Sequence, residues 1–438
     1  MKDLIDGIWE SKERGDIEMN LYPHQQKILD ASKEMRKVAY FLDMGLGKTY
    51  LASEKIKTIP LEEHIVVCQK SKVDDWVNHF IEHYPEFTVI DLTRKAGRQV
   101  CHNGGNVCVG IINYELFWRR RYYIPKSTYS LTLDESSLIG NSKAKQTKFI
   151  MSLNPNYLIL LSGTPTGGKY EKLFTQIKLL GYPCREKVYR DRYLIQKTIV
   201  TANGMNIKVP TGRYKNVEEL INMSRKHNCF FLKTEDVLDL PEQTYVPVEV
   251  APTAEYNKFV KDRIVTIGDK EIVGDTTFTK LLGERQLCGQ FNLNKLVSFK
   301  DILASTSDRL IVFYNFNDEL AELVKLAEDD GRPISFVNGE KRDLTAYENE
   351  SNSVTFIQYR AGSMGINAQK ANKIVYFSPP LSANDYAQSQ KRIHRLKQDR
   401  ACFYYKLITK NSVEEKIYDC LERGVDYELR LFSGDGNE

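Results

Sequence analysis

Short runs of apolar, often β-branched residues recur along the chain and alternate with segments of helical length. In the first half the runs are Val38–Leu42, His64–Cys68, Val107–Ile112, Ser130–Leu133 and Tyr157–Leu161. In the second half they are Leu310–Tyr314, Ile334–Val337, Val354–Ile357, Lys373–Phe377 and Phe403–Ile408. Runs that are apolar at nearly every position suit strands covered on both faces, and strands spaced by helices suit parallel sheets. The pattern predicts an α/β protein with two parallel-sheet domains. The stretch from about 165 to 300 reads differently. It is rich in helical segments and holds one hairpin-like piece, Thr198–Pro210, with Asn203-Gly204 as its turn. Leu240–Val250 (LPEQTYVPVEV) carries two prolines within seven residues and reads as an extended connector. The expected domains are therefore 1–242 and 243–438, with a helical insertion near 165–235, inside the first of them, standing between the two sheets.

Length supports the division, since one hydrophobic core rarely grows past about 250–300 residues and the chain has 438. Hydrophobic residues at 42% and charged residues at 27% exclude a mostly disordered chain, a collagen-like fibre and a coiled-coil rod. No apolar run approaches the roughly 18 residues of a membrane helix. The opening MKDLIDGIWESKERGD is charged throughout and lacks a signal-peptide core. A cytoplasmic protein is expected, or a nuclear one in a eukaryote, with no membrane association. The 8 cysteines are scattered and never spaced C-x-x-C, which excludes a disulfide framework and a zinc ribbon.

Net charge is only +4 but unevenly spread. Within Arg119–Lys233 there are 21 basic and 7 acidic residues, a net of +14, so the insertion is basic. Such an excess fits either a polyanion-facing surface or a solvated basic face.

Candidate chemistry begins at Met44–Thr49 (MGLGKT), directly after the strand VAYFL. A strand, a glycine-containing loop and Lys-Thr opening a helix form a phosphate cradle. Met44, Gly45, Leu46 and Gly47 would supply backbone to the phosphates, Lys48 would reach the β- and γ-phosphates, and the Thr49 hydroxyl would hold Mg²⁺. Leu42 stands where the strict G-x-x-x-x-G-K-[ST] pattern has its first glycine, so a chance turn is the other reading of the loop alone. A second element is Leu131–Glu135 (LTLDE), a strand ending in two carboxylates. Asp134 would bind Mg²⁺ through water, and Glu135 would polarise the attacking water. A third, Leu161–Pro165 (LSGTP), also sits at a strand end, where ligand loops gather in open α/β sheets.

MGLGKT, DESS, SGTP and the distant Gln388–Gln398 (QSQKRIHRLKQ), in this order, resemble superfamily 2 helicases of the Swi/Snf-like double-stranded DNA translocase group. The resemblance runs from about Leu21 to Leu421 and implies two RecA-like motor domains, ATP and Mg²⁺ as cofactors, and double-stranded or branched DNA as partner. Leu21–Gln25 resembles the adenine-sensing segment, with Gln25 reading the base. Ile65–Trp76 and Gly110–Leu116 resemble DNA-side motifs, which implicates Lys70 and Ser71. Phe231–Pro241 and Arg285–Cys288 resemble the approach to the second motor domain. Ala361–Asn367 resembles the loop coupling DNA to ATP, which implicates Ser363 and Gly365. In the last motif Gln388, Arg392 and Arg395 are expected on one helix face at i, i+4 and i+7. The resemblance makes the arginines fingers for the γ-phosphate and Gln388 its sensor.

Departures from the family pattern are Ser137 in place of His, Gly167-Gly168 after SGTP, and Lys397 in place of Gly. Tyr193–Leu220 resembles, more loosely, annealing and fork-remodelling translocases. His79 and His83 lack the Glu placement of a zinc protease and are expected at the surface or as caps. The expected function is an ATP-dependent DNA translocase that remodels forks or junctions by branch migration. An RNA helicase of the same superfamily, or a DNA-binding subunit with a vestigial ATPase, stays open.

Overall fold

The computed structural model describes residues 21–94, 100–102, 105–120, 124, 128–200, 203–359, 366–424 and 426–427. Among them lie two parallel sheets, each in its own lobe.

In the first lobe the strands are β1 (Lys37–Leu42), β2 (Glu63–Cys68), β3 (Thr88–Asp91), β4 (Val100–His102), β5 (Cys108–Asn113), β6 (Ser130–Leu133) and β7 (Tyr157–Leu161). A hairpin follows, β8 (Leu194–Val200) with β9 (Asn206–Tyr214), and then β10 (Cys229–Leu232). The sheet order is β10-β1-β7-β6-β2-β5-β3-β4. All its described pairings are parallel except β3 with β4.

The second lobe holds β11 (Gln243–Val250), a small hairpin of β12 (Ile264–Ile267) and β13 (Lys270–Val273), then β14 (Leu310–Tyr314), β15 (Ile334–Val337), β16 (Arg342–Asp343), β17 (Val354–Gln358), β18 (Lys373–Tyr376) and β19 (Cys402–Thr409). Its order is β11-β19-β18-β14-β17-β15-β16, parallel except β15 with β16.

The apolar runs form strands because both sheet faces are covered. On β1, Val38, Tyr40 and Leu42 enter one cluster and Ala39 and Phe41 the other. On β14, Leu310, Val312 and Tyr314 face one cluster and Ile311 and Phe313 the other. Each fully buried side chain of this kind contributes roughly 1.5–3 kcal/mol.

Three expectations change. The connector Leu240–Val250 is mostly strand β11, paired with β19 along its length. Pro247 is accommodated because β11 is an edge strand, where one unpaired N–H is dispensable. The insertion, expected between the two sheets, is built into the first lobe. It supplies Leu173, Phe174, Ile177, Tyr189, Tyr193 and Leu220 to the first core and ends in β10, which pairs with β1. Its hairpin is also longer than Thr198–Pro210, with Gly204 at φ +74° in the turn. Among the described residues no helix is long and apolar enough to cross a membrane.

Candidate active site

β1 ends at Leu42, and the loop Asp43–Gly47 delivers the chain into the helix Lys48–Lys57. Gly45 (φ +84°) and Gly47 (φ +70°) are left-handed, which glycine adopts without steric cost. A Cβ at Gly47 would lie 2.0 Å from Nε2 of Gln25. Gln25 is buried and braces the loop. Its Nε2 donates to the carbonyls of Leu46 and Gly47, both at 3.1 Å, and its Oε1 accepts from the Tyr22 N–H at 2.8 Å. Both N–H donors of its amide are thereby engaged, while Oε1 keeps a second lone pair with which to accept from a base. Lys48 Nζ donates to the carbonyls of Leu42 (2.8 Å) and Asp43 (3.1 Å). Burial lowers its pKa, while Glu135, Asp134 and Asp43 pull it back up. Gly163 of the SGTP segment is pressed against this loop, since a Cβ there would meet Met44 Cγ at 3.2 Å and Lys48 Nζ at 3.4 Å.

Asp134 and Glu135 follow β6. Asp134 Oδ2 accepts the indole N–H of Trp76 at 2.9 Å, and Oδ1 accepts the backbone N–H of Glu135 at 3.0 Å. The Tyr114 hydroxyl donates to the Asp134 carbonyl at 2.8 Å. Glu135 has φ +51°, a backbone conformation costly for a side-chain-bearing residue and concentrated at functional sites. Its Oε2 accepts from the Ser162 hydroxyl at 3.3 Å. Burial raises the pKa of both acids, and Asp134 raises that of Glu135 further. Behind them the Ser136 hydroxyl donates to Gln176 (2.7 Å), whose amide donates to the Pro165 carbonyl (2.7 Å), tying DESS to SGTP.

The opposite wall comes from the second lobe. Gln388 and Arg392 line the same cavity, about 310 Å³ in volume, as Met44, Lys48, Thr49, Asp134 and Glu135. Burial brings the Arg392 pKa down to about 10, with Arg395 adding to the fall and Glu135 opposing it. Arg395 lies over the loop, its Cβ 3.3 Å from where a Gly45 Cβ would sit. The expected single helix is corrected here. The helix Ala383–Gln390 ends before both arginines. Lys391 leaves helical geometry (φ −76°, ψ 6°), and its Nζ bonds Asp43 Oδ1 of the first lobe at 2.5 Å. The turns beyond are held by Gln398, whose Nε2 donates to the carbonyls of Ile393, Gln369 and Ala371. Lys397 has φ +74°, so the family's glycine at this place has a conformational reason.

The cavity wall offers a cation the Thr49 hydroxyl and the carboxylates of Asp134, Glu135 and Asp75. Hard oxygen donors of this kind fit Mg²⁺, which would fill the rest of its shell with waters and ligand oxygens.

Lys70 and Ser71 stand apart from this cavity, in the 3₁₀ turn after β2, with Lys70 exposed. Ser363 and Gly365 lie outside the described residues. His79, expected at the surface or as a cap, is buried on the cavity wall. Its Nε2 bonds the Ser53 hydroxyl at 3.0 Å and its ring meets Tyr50 edge-on at 4.6 Å. His83 does lie nearer solvent, bonded to the Tyr50 hydroxyl at 3.0 Å. Sequence reasoning missed Asp43, Tyr50, Lys72, Trp76 and Lys391 as site residues. Trp76 sits in a segment expected along DNA, yet its N–H is turned to Asp134. Lys391 stood within the quoted motif, and its charge beside Arg392 was the available signal.

A family model described as the SNF2-related domain matches residues 32–293, and one for the helicase conserved C-terminal domain matches residues 293–397. The chain is 22% identical over 427 residues to the putative ATP-dependent helicase/translocase YwqA of Bacillus subtilis, covering 87% of this chain and 45% of YwqA. It is 23% identical over 447 residues to the uncharacterized ATP-dependent helicase YqhH of the same organism, covering 91% and 77%. A Drosophila melanogaster SWI/SNF-related subfamily A-like protein 1 is 24% identical over 427 residues, covering 92% and 54%. The chain spans about half the length of most of these curated relatives. A solved structure, the Sulfolobus solfataricus SWI2/SNF2 ATPase core in complex with dsDNA, aligns with a TM-score of 0.45 at 19% identity, covering 97% of this chain and 95% of that one. With residues 32–293 of 438 matched by its model, the chain belongs to the SNF2-related family.

Proposed function

We propose that the chain is an ATP-dependent translocase acting on double-stranded or branched DNA. One observation carries the ATPase half: Lys48, Thr49, Asp134 and Glu135 of the first lobe share one cavity with Gln388 and Arg392 of the second. A site divided between lobes is complete only when they close, which couples phosphate chemistry to a change in shape.

Each residue then has a role. The Lys48 ammonium, now on two loop carbonyls, turns to the β- and γ-phosphates. Thr49 and Asp134 would hold Mg²⁺, which would supply positive charge beside the phosphate oxygens. Glu135, its pKa raised, orients the attacking water and accepts its proton. Arg392 and Arg395 meet the charge spreading over the transferred group, which a planar guanidinium matches bidentately. Gln388 senses the γ-phosphate from the same wall.

The DNA half is supported by family membership, by a relative named as a DNA repair and recombination protein, and by the basic excess between 119 and 233. Contacts through Lys70, Ser71 and that surface fall on phosphates, so binding is sequence-independent and weakens with salt. Movement along the duplex, with remodelling of forks, is the finer reading.

The test is ATP hydrolysis at low salt without nucleic acid and then with duplex DNA, single-stranded DNA, a synthetic fork and RNA. Strong stimulation by duplex or fork, lost in Lys48→Ala, is the expected result. Stimulation by RNA alone, or by none of them, overturns the assignment.

A further inference from the structure

The contact between Lys391 and Asp43 is used by none of the roles above, yet it joins the lobes beside the phosphate loop. We infer that Asp43 and Lys391 form a positioning pair that latches the second lobe onto the loop and sets Arg392 at the cavity wall. The inference rests on the ATPase reading for its catalytic consequence only.

Three features carry it. First, the Asp43 carboxylate is anchored within its own lobe. While Oδ1 takes Lys391 Nζ at 2.5 Å, Oδ2 accepts the N–H and hydroxyl of Thr234 at 3.2 and 3.4 Å. Thr234 follows β10, on the segment that runs to the second lobe. A carboxylate held this way gives the lysine a fixed target, so less side-chain freedom is lost when the pair forms. Second, Asp43 belongs to the loop itself, because its carbonyl accepts from Lys48 Nζ at 3.1 Å. Anything that pulls on Asp43 therefore pulls on the first residue of that loop. Third, Lys391 directly precedes Arg392 and is where the helix Ala383–Gln390 stops. The pair therefore fixes the turn from which Arg392 enters the cavity. The two side chains are 30% and 19% exposed, so the pair is partly sheltered from solvent and salt.

Asp43→Asn keeps an acceptor for Thr234 while removing the charge, and Lys391→Met keeps the aliphatic stem. Fluorophores at the exposed positions Glu62 and Lys300, introduced as unnatural residues because the chain has 8 cysteines, report lobe separation in the full chain. Each single variant is expected to lower energy transfer in nucleotide-free protein. Each is also expected to cut turnover about threefold to tenfold while the KM for ATP stays within about twofold. Lys391→Arg restores both readouts, and the double variant is no worse than the worse single, as for residues acting through one contact. Unchanged energy transfer in both single variants overturns the inference. So do additive losses in the double variant, or Lys391→Arg as impaired as Lys391→Met. A wild-type chain that hydrolyses no ATP overturns the ATPase reading, and the distance arm then decides the pair alone.

Discussion

The indole N–H of Trp76 donates to Oδ2 of Asp134 at 2.9 Å, so a residue from the helix Val73–His83 aims a carboxylate at the end of β6. The bond gives the buried acid a neutral donor and, with the Glu135 N–H on Oδ1, fixes the orientation of the carboxylate. Hydrogen bonds to charged groups contribute about 1.5–3 kcal/mol. Trp76→Phe, which keeps an aromatic ring but no donor, is expected to lower ATP turnover about tenfold with the circular dichroism spectrum unchanged. Wild-type turnover in this variant would show that Asp134 needs no such guide.

Glu135 and Arg395 separate binding from chemistry. Glu135→Gln is expected to retain nucleotide affinity and lose at least about 100-fold in turnover, the scale of a general base. Arg395→Ala is expected to lose about 1,000-fold in turnover, the low end for an arginine finger, with a far smaller change in affinity. Equilibrium binding of a fluorescent nucleotide alongside steady-state hydrolysis separates the two. Full activity in Glu135→Gln would remove it from the mechanism.

Two buried histidines predict how stability responds to acid. Burial lowers the pKa of His64 to about 4 and of His79 to about 3, against an ordinary value near 6.5. The unfolded chain therefore binds more protons than the native one between those values and 6.5. Their contribution is present above about pH 6.5 and is lost as pH falls toward 4 and then 3. Urea melts from pH 7 down to pH 4 are expected to show falling midpoints, and His79→Gln is expected to flatten the fall. An identical slope in the variant would contradict this.

Lys397 holds a left-handed backbone (φ +74°) that costs a side-chain-bearing residue about 1–2 kcal/mol. Glycine takes that conformation freely but gains entropy in the unfolded chain. The balance predicts that Lys397→Gly raises stability by about 0.5–1 kcal/mol, read as a higher thermal midpoint. A lower midpoint would mean that the contacts of the lysine outweigh the strain.

The sequence was legible where one physical cause acted alone. β1, β6, β7 and β14 are buried on both faces, so their apolar runs mark them within a residue or two. β11 was obscured because an edge strand alternates and tolerates Pro247, which makes it look like a connector. The phosphate loop and the Asp134–Glu135 pair were legible because spacing along one strand–loop unit places them. The turn carrying Arg392 was not, because the helix stops at Gln390, where Lys391 meets Asp43 of the other lobe, and helical periodicity knows nothing of Asp43. His79 was misplaced for a similar reason, since its burial depends on Ser53 and Tyr50 of a neighbouring helix.

β1 leads into the proposed phosphate loop, yet one of its two neighbours, β10, is made some 190 residues later, with Ala39 opposite Cys229. During synthesis β1 must wait with an apolar edge open until the insertion has emerged and folded back. Pairings this distant in sequence form slowly, and an open edge invites pairing with other chains. An isolated first lobe should therefore be cut after Leu232. Trimming it at the insertion, which the chain's texture near residue 165 invites, would leave the central strand of the nucleotide site at the border of its own sheet.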